Sequence, residues 1–262
     1  MSKRKIIGIA LTAAFFIAAV VFGVLFLKQY NDAKDSEETF ESLQVEIAAK
    51  VVEKEKNKDS LPPVDPEDEY AVAQQAMELY KDLKDQNEDF VGWISIDGTN
   101  INYPVVQNRD TPGFYLKHGF DKSYSDYGVP YLEEDCSIQY SNNLVVYGHH
   151  MNNGTMFADL VKYADENFYK EHKTIQFDTL MGLGEYEVVA VFHFNTNYED
   201  FRFNEYINMK EARFSEYMDN VHARQIYDTG VTAEYGDTLL TLSTCDYTYE
   251  NGRFVLVAKK LA

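Results

Sequence analysis

The sequence predicts a mainly β fold, a mostly antiparallel barrel or sandwich with peripheral helices, on three observations. Beyond Asn87, β-branched and aromatic residues dominate in short runs. Turn signals such as Asp97-Gly98 and Asn251-Gly252 separate those runs. Only two stretches in that part of the chain and just before it carry apolar residues at helical spacing.

The first of these is about 67–84, where Val72, Ala76, Leu79, Tyr80 and Leu83 share one helical face. Gly92–Ile96 and Ile101–Val106 then read as a hairpin around Asp97-Gly98. Further strands are expected at Leu144–Tyr147, Thr174–Phe177, Tyr186–Phe194, Thr238–Leu242 and Arg253–Lys259. Ile207, Phe214, Met218 and Val221 mark a second helix over about 207–224.

The chain has 262 residues, 45% of them apolar and 26% charged, which fits a globular protein. Its 24 basic residues face 43 acidic ones, a net charge of −19. So acidic a surface repels phosphate backbones, and nucleic acid is not an expected partner. Two cysteines, Cys136 and Cys245, provide neither a disulfide framework nor a thiolate zinc site.

At the N-terminus a basic cluster, Lys3-Arg4-Lys5, precedes an uncharged run from Ile6 to Leu27 that Lys28 closes. At the helical rise that run spans about 33 Å, enough to cross a bilayer. A cleaved signal peptide is the rival reading, with a shorter apolar region and small residues at its end. Here Phe15, Phe16, Phe22 and Phe26 keep the run bulky, so an uncleaved anchor is expected. The positive-inside rule puts 1–5 in the cytoplasm and the remainder outside, where three fewer basic residues take the balance to −22. In polar, charge-rich 28–66 the sparse apolar residues could line one face of a helix, but the segment reads rather as an extracellular stalk, with Pro62, Pro63 and Pro66 marking the boundary of a domain from 67 to 262.

Cys245 ends the apolar run Thr238–Leu242 through Ser243-Thr244, at the rim of a sheet where loops build sites. A lone cysteine is commonly a small buried hydrophobe, but polar Thr244 and Asp246 flank this one. A thiol with its ordinary pKa near ~8.5 needs an imidazole or cation beside it to act as a nucleophile. His149 follows Leu144–Gly148 and so also lies at a strand end, while His150 should point elsewhere. His193 lies within a strand, on its face or in the core. Arg253 stands eight residues after Cys245 across a turn-like connection, which makes the two cross-strand neighbours. Its guanidinium could stabilise an oxyanion, or lie in a surface ion pair. No third ligand accompanies the His149-His150 pair, so neither a metal nor another cofactor is expected.

Together, Thr241-Leu242-Ser243-Thr244-Cys245, Tyr147-Gly148-His149 and Arg253 resemble the sortases, membrane-anchored cysteine transpeptidases of Gram-positive bacteria. The resemblance runs from about Asp89 to the C-terminus. Class B is indicated by Asp89–Ile94 with Ile101–Gln107, by Met156–Leu160 after the histidine, and by the helix near 207–224. His150 departs from the Asn that class often has there.

The resemblance implies a closed eight-stranded β-barrel with an N-terminal helix and a helical insertion before the cysteine strand. It implies Cys245 as nucleophile, His149 as proton donor to the leaving amine and Arg253 as holder of the threonine carbonyl. Ser243, Thr244 and Asp246 are candidate substrate contacts, and Asp246 is also a candidate to orient His149. The implied partners are surface proteins bearing a C-terminal sorting signal and an acceptor amine of a peptidoglycan cross-bridge or a pilin lysine. A catalytically silent binding or pilus-assembly domain is the alternative. An L,D-transpeptidase would carry a Ser-His-Gly-x-x-Arg-like run before its thiol, which is missing.

Overall fold

In the computed structural model, residues 3–57, 68–197, 201–248 and 250–261 are described. The expected proline boundary at 62–66 lies outside them.

Helix α1 (Lys3–Asn57) is unbroken for 55 residues. Its N-terminal part is long and apolar enough to cross a membrane and leaves Phe15, Phe16, Phe22 and Phe26 exposed. The segment expected as a stalk behaves differently over 28–57: it continues α1 and is seated on the domain. Phe40, Leu43 and Ile47, spaced i, i+3, i+7, bury their side chains there, and Gln44 donates to the Asn102 carbonyl at 2.8 Å. Three apolar residues in a charged segment look sparse, but at that spacing they make one continuous stripe.

Helix α2 (Glu69–Gln86) starts at Asp68, whose carboxylate accepts from the Ala71 N–H at 3.1 Å. It buries Ala73, Ala76, Leu79, Tyr80 and Leu83 and runs antiparallel to α1, with Gln86 bonded to Glu46 and Lys50 paired with Asp82.

Eight strands close into a barrel: β1 (Phe90–Ser95), β2 (Asn102–Val106), β3 (Tyr131–Leu132), β4 (Asn143–Tyr147), β5 (Thr174–Thr179), β6 (Glu185–Asn195), β7 (Leu239–Asp246) and β8 (Gly252–Lys260). Their order round the barrel is β1-β2-β3-β4-β7-β8-β6-β5, with β1 and β5 closing the ring. Gly98, at φ +76°, makes the β1–β2 turn, where a β-carbon would also meet the His172 ring. Most pairings are antiparallel; β2 with β3 and β4 with β7 are parallel. Helix α3 (Glu166–Glu171) precedes β5. Helix α4 (Glu211–Arg224) lies between β6 and β7 and presents Phe214, Tyr217, Met218 and Val221 to the core. The Tyr217 hydroxyl lies 2.8 Å from the Thr241 hydroxyl, which fixes α4 to the outer face of β7.

Candidate active site

Parallel pairing of β4 with β7 brings two distant sequence segments to one end of the barrel. Tyr147 is the register partner of Ser243. Beyond it, the Gly148 N–H donates to the Ser243 carbonyl at 3.1 Å, and the Thr244 hydroxyl donates to the Gly148 carbonyl at 2.8 Å. His149 therefore leaves β4 where β7 reaches Cys245. On the other side of β7, Cys245 stands directly opposite Arg253 of β8. The sheet alternation puts Ser243 and Cys245 on the same face.

His149 is half-buried, with Nε2 2.7 Å from the Leu116 carbonyl oxygen. A carbonyl only accepts, so Nε2 carries the proton and Nδ1 of the neutral ring is the basic nitrogen. Burial lowers the pKa of this imidazole, and the Leu116 carbonyl opposes that only in part. At neutral pH the ring is ready to accept a proton.

Arg253 directs one guanidinium nitrogen to the Gly252 carbonyl at 2.9 Å and forms no ion pair with a carboxylate among the described residues. Two phenols, Tyr131 and Tyr247, lie within electrostatic reach of the cross-strand pair Cys245 and Arg253. Burial pushes Tyr131 up to about 12 and raises Tyr247.

Of the three candidate substrate contacts, two are engaged inside the fold. Thr244 is bonded to Gly148 as above. Asp246 accepts from His193 Nδ1 at 2.6 Å and from the Thr248 N–H at 3.0 Å, rather than orienting His149. Burial works against the Asp246 charge, but these hydrogen bonds prevail and hold the carboxyl below its ordinary range. The third, Ser243, is 1% exposed, and its hydroxyl has no hydrogen-bond partner among the described residues.

His150 does not point away. Its Nδ1 donates to the Cys245 carbonyl at 2.9 Å, and its own carbonyl accepts from the Tyr247 hydroxyl at 2.9 Å. Strand alternation predicts the opposite, but β4 ends at Tyr147, and after Gly148 the chain turns into a bridge between His150 and Met156. Cys136 is separate from Cys245 and fully buried, and burial pushes its thiol up to about 12. Among the described residues no cluster of three or more His, Cys, Asp or Glu side chains could hold a metal ion.

The sequence of residues 94–261 matches a family described as the sortase domain. The chain belongs to the sortase family. It is 34% identical to sortase B of Listeria monocytogenes over 182 residues, 68% of this chain and 72% of that protein. Against sortase B of Staphylococcus aureus it is 26% identical over 246 residues, covering 93% and 92%. Among solved structures, a Staphylococcus aureus sortase B–substrate complex superposes with a TM-score of 0.72 at 26% identity, over 88% of this chain and 98% of that one. Clostridium perfringens sortase B gives 0.62 at 31% identity, over 70% and 99%. The protein is thus a sortase B family cysteine transpeptidase with the closed-barrel sortase fold.

Four features of this sortase's site are not evident in the sequence: the Leu116 carbonyl that holds His149, the His193–Asp246 pair, and the Tyr131 and Tyr247 flanks. Leu116 and Tyr131 belong to the connection between β2 and β4, where no long strand or motif gives a register. Tyr247 is adjacent to Asp246 in sequence, and its polar-aromatic neighbourhood was the only signal available.

Proposed function

We propose that this sortase cleaves a C-terminal sorting signal after threonine and joins the threonine carbonyl to an amine of the cell wall or of a pilin. Neutral His149 takes the Cys245 proton through Nδ1, and the thiolate attacks the threonine carbonyl. The tetrahedral oxyanion is stabilised by the Arg253 guanidinium. As it collapses, the His149 imidazolium gives its proton to the departing amine, leaving a thioester on Cys245. An incoming amine attacks that thioester, loses a proton to His149 and releases the thiol.

The observation that carries this reading is the register pairing of Cys245 with Arg253, whose guanidinium has no carboxylate partner among the described residues. Ser243, buried on the same face between its register partners Tyr147 and Val255, serves in cross-strand packing rather than in contact with the signal. Thr244 and Asp246 support the site by fixing the ends of β4, β6 and β7. The wall of the signal groove is assigned to the segment between Asn195 and Asp228, which contains α4.

The apolar part of α1 serves as an uncleaved anchor with 1–5 in the cytoplasm and the catalytic domain outside. The test is incubation with peptides of the form x-P-x-T-x and an amine acceptor. Cleavage after threonine with transfer to the amine supports the reading, and a protein that binds these peptides without cleaving any would favour the silent binding domain. Arg253→Lys should lower kcat/KM by about tenfold or more, because a point-charge ammonium cannot reproduce the guanidinium fork.

A further inference from the structure

The unbroken course of α1 fixes the height of the domain above the membrane. Lys28 is the first charged residue after the apolar run, so it marks the level of the lipid head groups. Its ammonium lies 5.3 Å from the centre of the Tyr124 ring. One turn further on, Asp32 accepts from the Asp126 N–H at 2.8 Å. Any segment touching Lys28 and Asp32 of a spanning helix stands at that same level.

The loop 117–126 is built to hold its place. Phe120 is buried against Phe90, its carbonyl accepts from Asn87 at 2.8 Å, and Lys117 pairs with Asp126 at 2.9 Å. At its tip the Tyr124 ring is 57% exposed, and its hydroxyl donates to Asp126 at 2.8 Å. The charges around it are mixed: Lys28, Lys117 and Lys122 against Asp32, Asp35, Asp121, Asp126 and Glu88. A strong attraction to anionic lipid is therefore not the driving term. The driving term is the position that α1 imposes, with an amphipathic ring placed where such rings prefer to lie.

We propose that the loop 117–126 rests on the phospholipid head-group layer of the outer leaflet, with Tyr124 and Lys28 together forming the interfacial contact. This rests on the anchor reading above. It also has a consequence for the chemistry, because the loop begins next to Leu116, whose carbonyl holds His149: the membrane surface contacts the same segment that orients the proposed base.

The test uses the full chain in two sets of phospholipid vesicles, one with acyl chains brominated near their ends to read Phe16→Trp and one with chains brominated close to the head group to read Tyr124→Trp and Met77→Trp. Trp93, 6% exposed, is the one native tryptophan and gives the baseline. Tryptophan is placed in turn at Phe16 within the span, at Tyr124, and at exposed Met77 on α2. The antiparallel α1–α2 pairing puts Met77 beyond Lys50, more than about 33 Å along α1 from Lys28. Quenching of Phe16→Trp shows the anchor in the bilayer. The proposal then requires Tyr124→Trp to be quenched at least about twofold more than Met77→Trp. Phe16→Trp quenched with Tyr124→Trp no different from Met77→Trp overturns the loop contact and leaves the anchor standing. An unquenched Phe16→Trp overturns both.

Discussion

The carbonyl oxygen of Cys245 accepts a hydrogen bond from Nδ1 of His150 at 2.9 Å. The contact is reinforced by Tyr247, which donates to the His150 carbonyl and packs its ring 4.9 Å from the imidazole. The segment bearing His149 is thereby tied to the β7–β8 connection that leads to Arg253. We propose that His150 is a positioning residue, acting through the main chain of Cys245. His150→Ala should lower kcat by about five- to tenfold with KM little changed, the scale of one lost hydrogen bond. His150→Asn, which keeps a donor, should restore most of it. Steady-state kinetics on both variants check this, and an unchanged kcat in His150→Ala would remove the role.

Gly148 leaves no room for a side chain. A β-carbon there would lie 2.4 Å from the ring of Phe157, which is fully buried and cannot swing aside. The same residue carries both hydrogen bonds that fasten the end of β4 to β7. Gly148→Ala should therefore destabilise the protein by about 1–3 kcal/mol and lower activity by shifting His149. Urea unfolding together with kcat measures both effects, and a fully stable, fully active variant would contradict the geometry.

Glu133, just beyond β3, lies buried and bonded to the hydroxyl of Tyr147. Burial, followed by the neighbouring Glu134, raises its carboxyl to about 7. The folded state therefore holds a proton that the unfolded state releases near 4.5, and stability should fall as pH rises from about 4.5 to about 7, then level off. Glu134 shifts the opposite way, so its effect is confined to pH below its ordinary value. Glu133→Gln should flatten the slope between those limits. Thermal or urea melts across that range decide the matter, and an equal slope in the variant would show that Glu133 does not hold the proton.

Much of this could be read from the chain because its strongest signals are local. The Asp97-Gly98 hairpin, the long apolar strands and the face of α4 all follow from periodicity within one element. Cys245 and Arg253 were legible as neighbours because a short connection joins their strands. The strand β3 was not, since two residues cannot show alternation and Tyr131 takes its place only by pairing with Val106 and Tyr147. The docking of 28–57 was hidden because three apolar residues become a stripe only once α1 is known to be continuous. Asp246 and His193 come from strands that are not neighbours in the barrel order, and no spacing rule links them.

In the proposed reaction Cys245 carries the acyl group, with Arg253 opposite it as the oxyanion partner. Intact-mass and peptide mapping of the protein quenched during turnover of a threonine-containing signal peptide test it most directly. The expected result is a thioester of the threonine-ended fragment on Cys245, none on buried Cys136, and much less of it in Arg253→Lys. Turnover with no adduct on Cys245, or undiminished turnover in Cys245→Ala, would rule out Cys245 as the nucleophile.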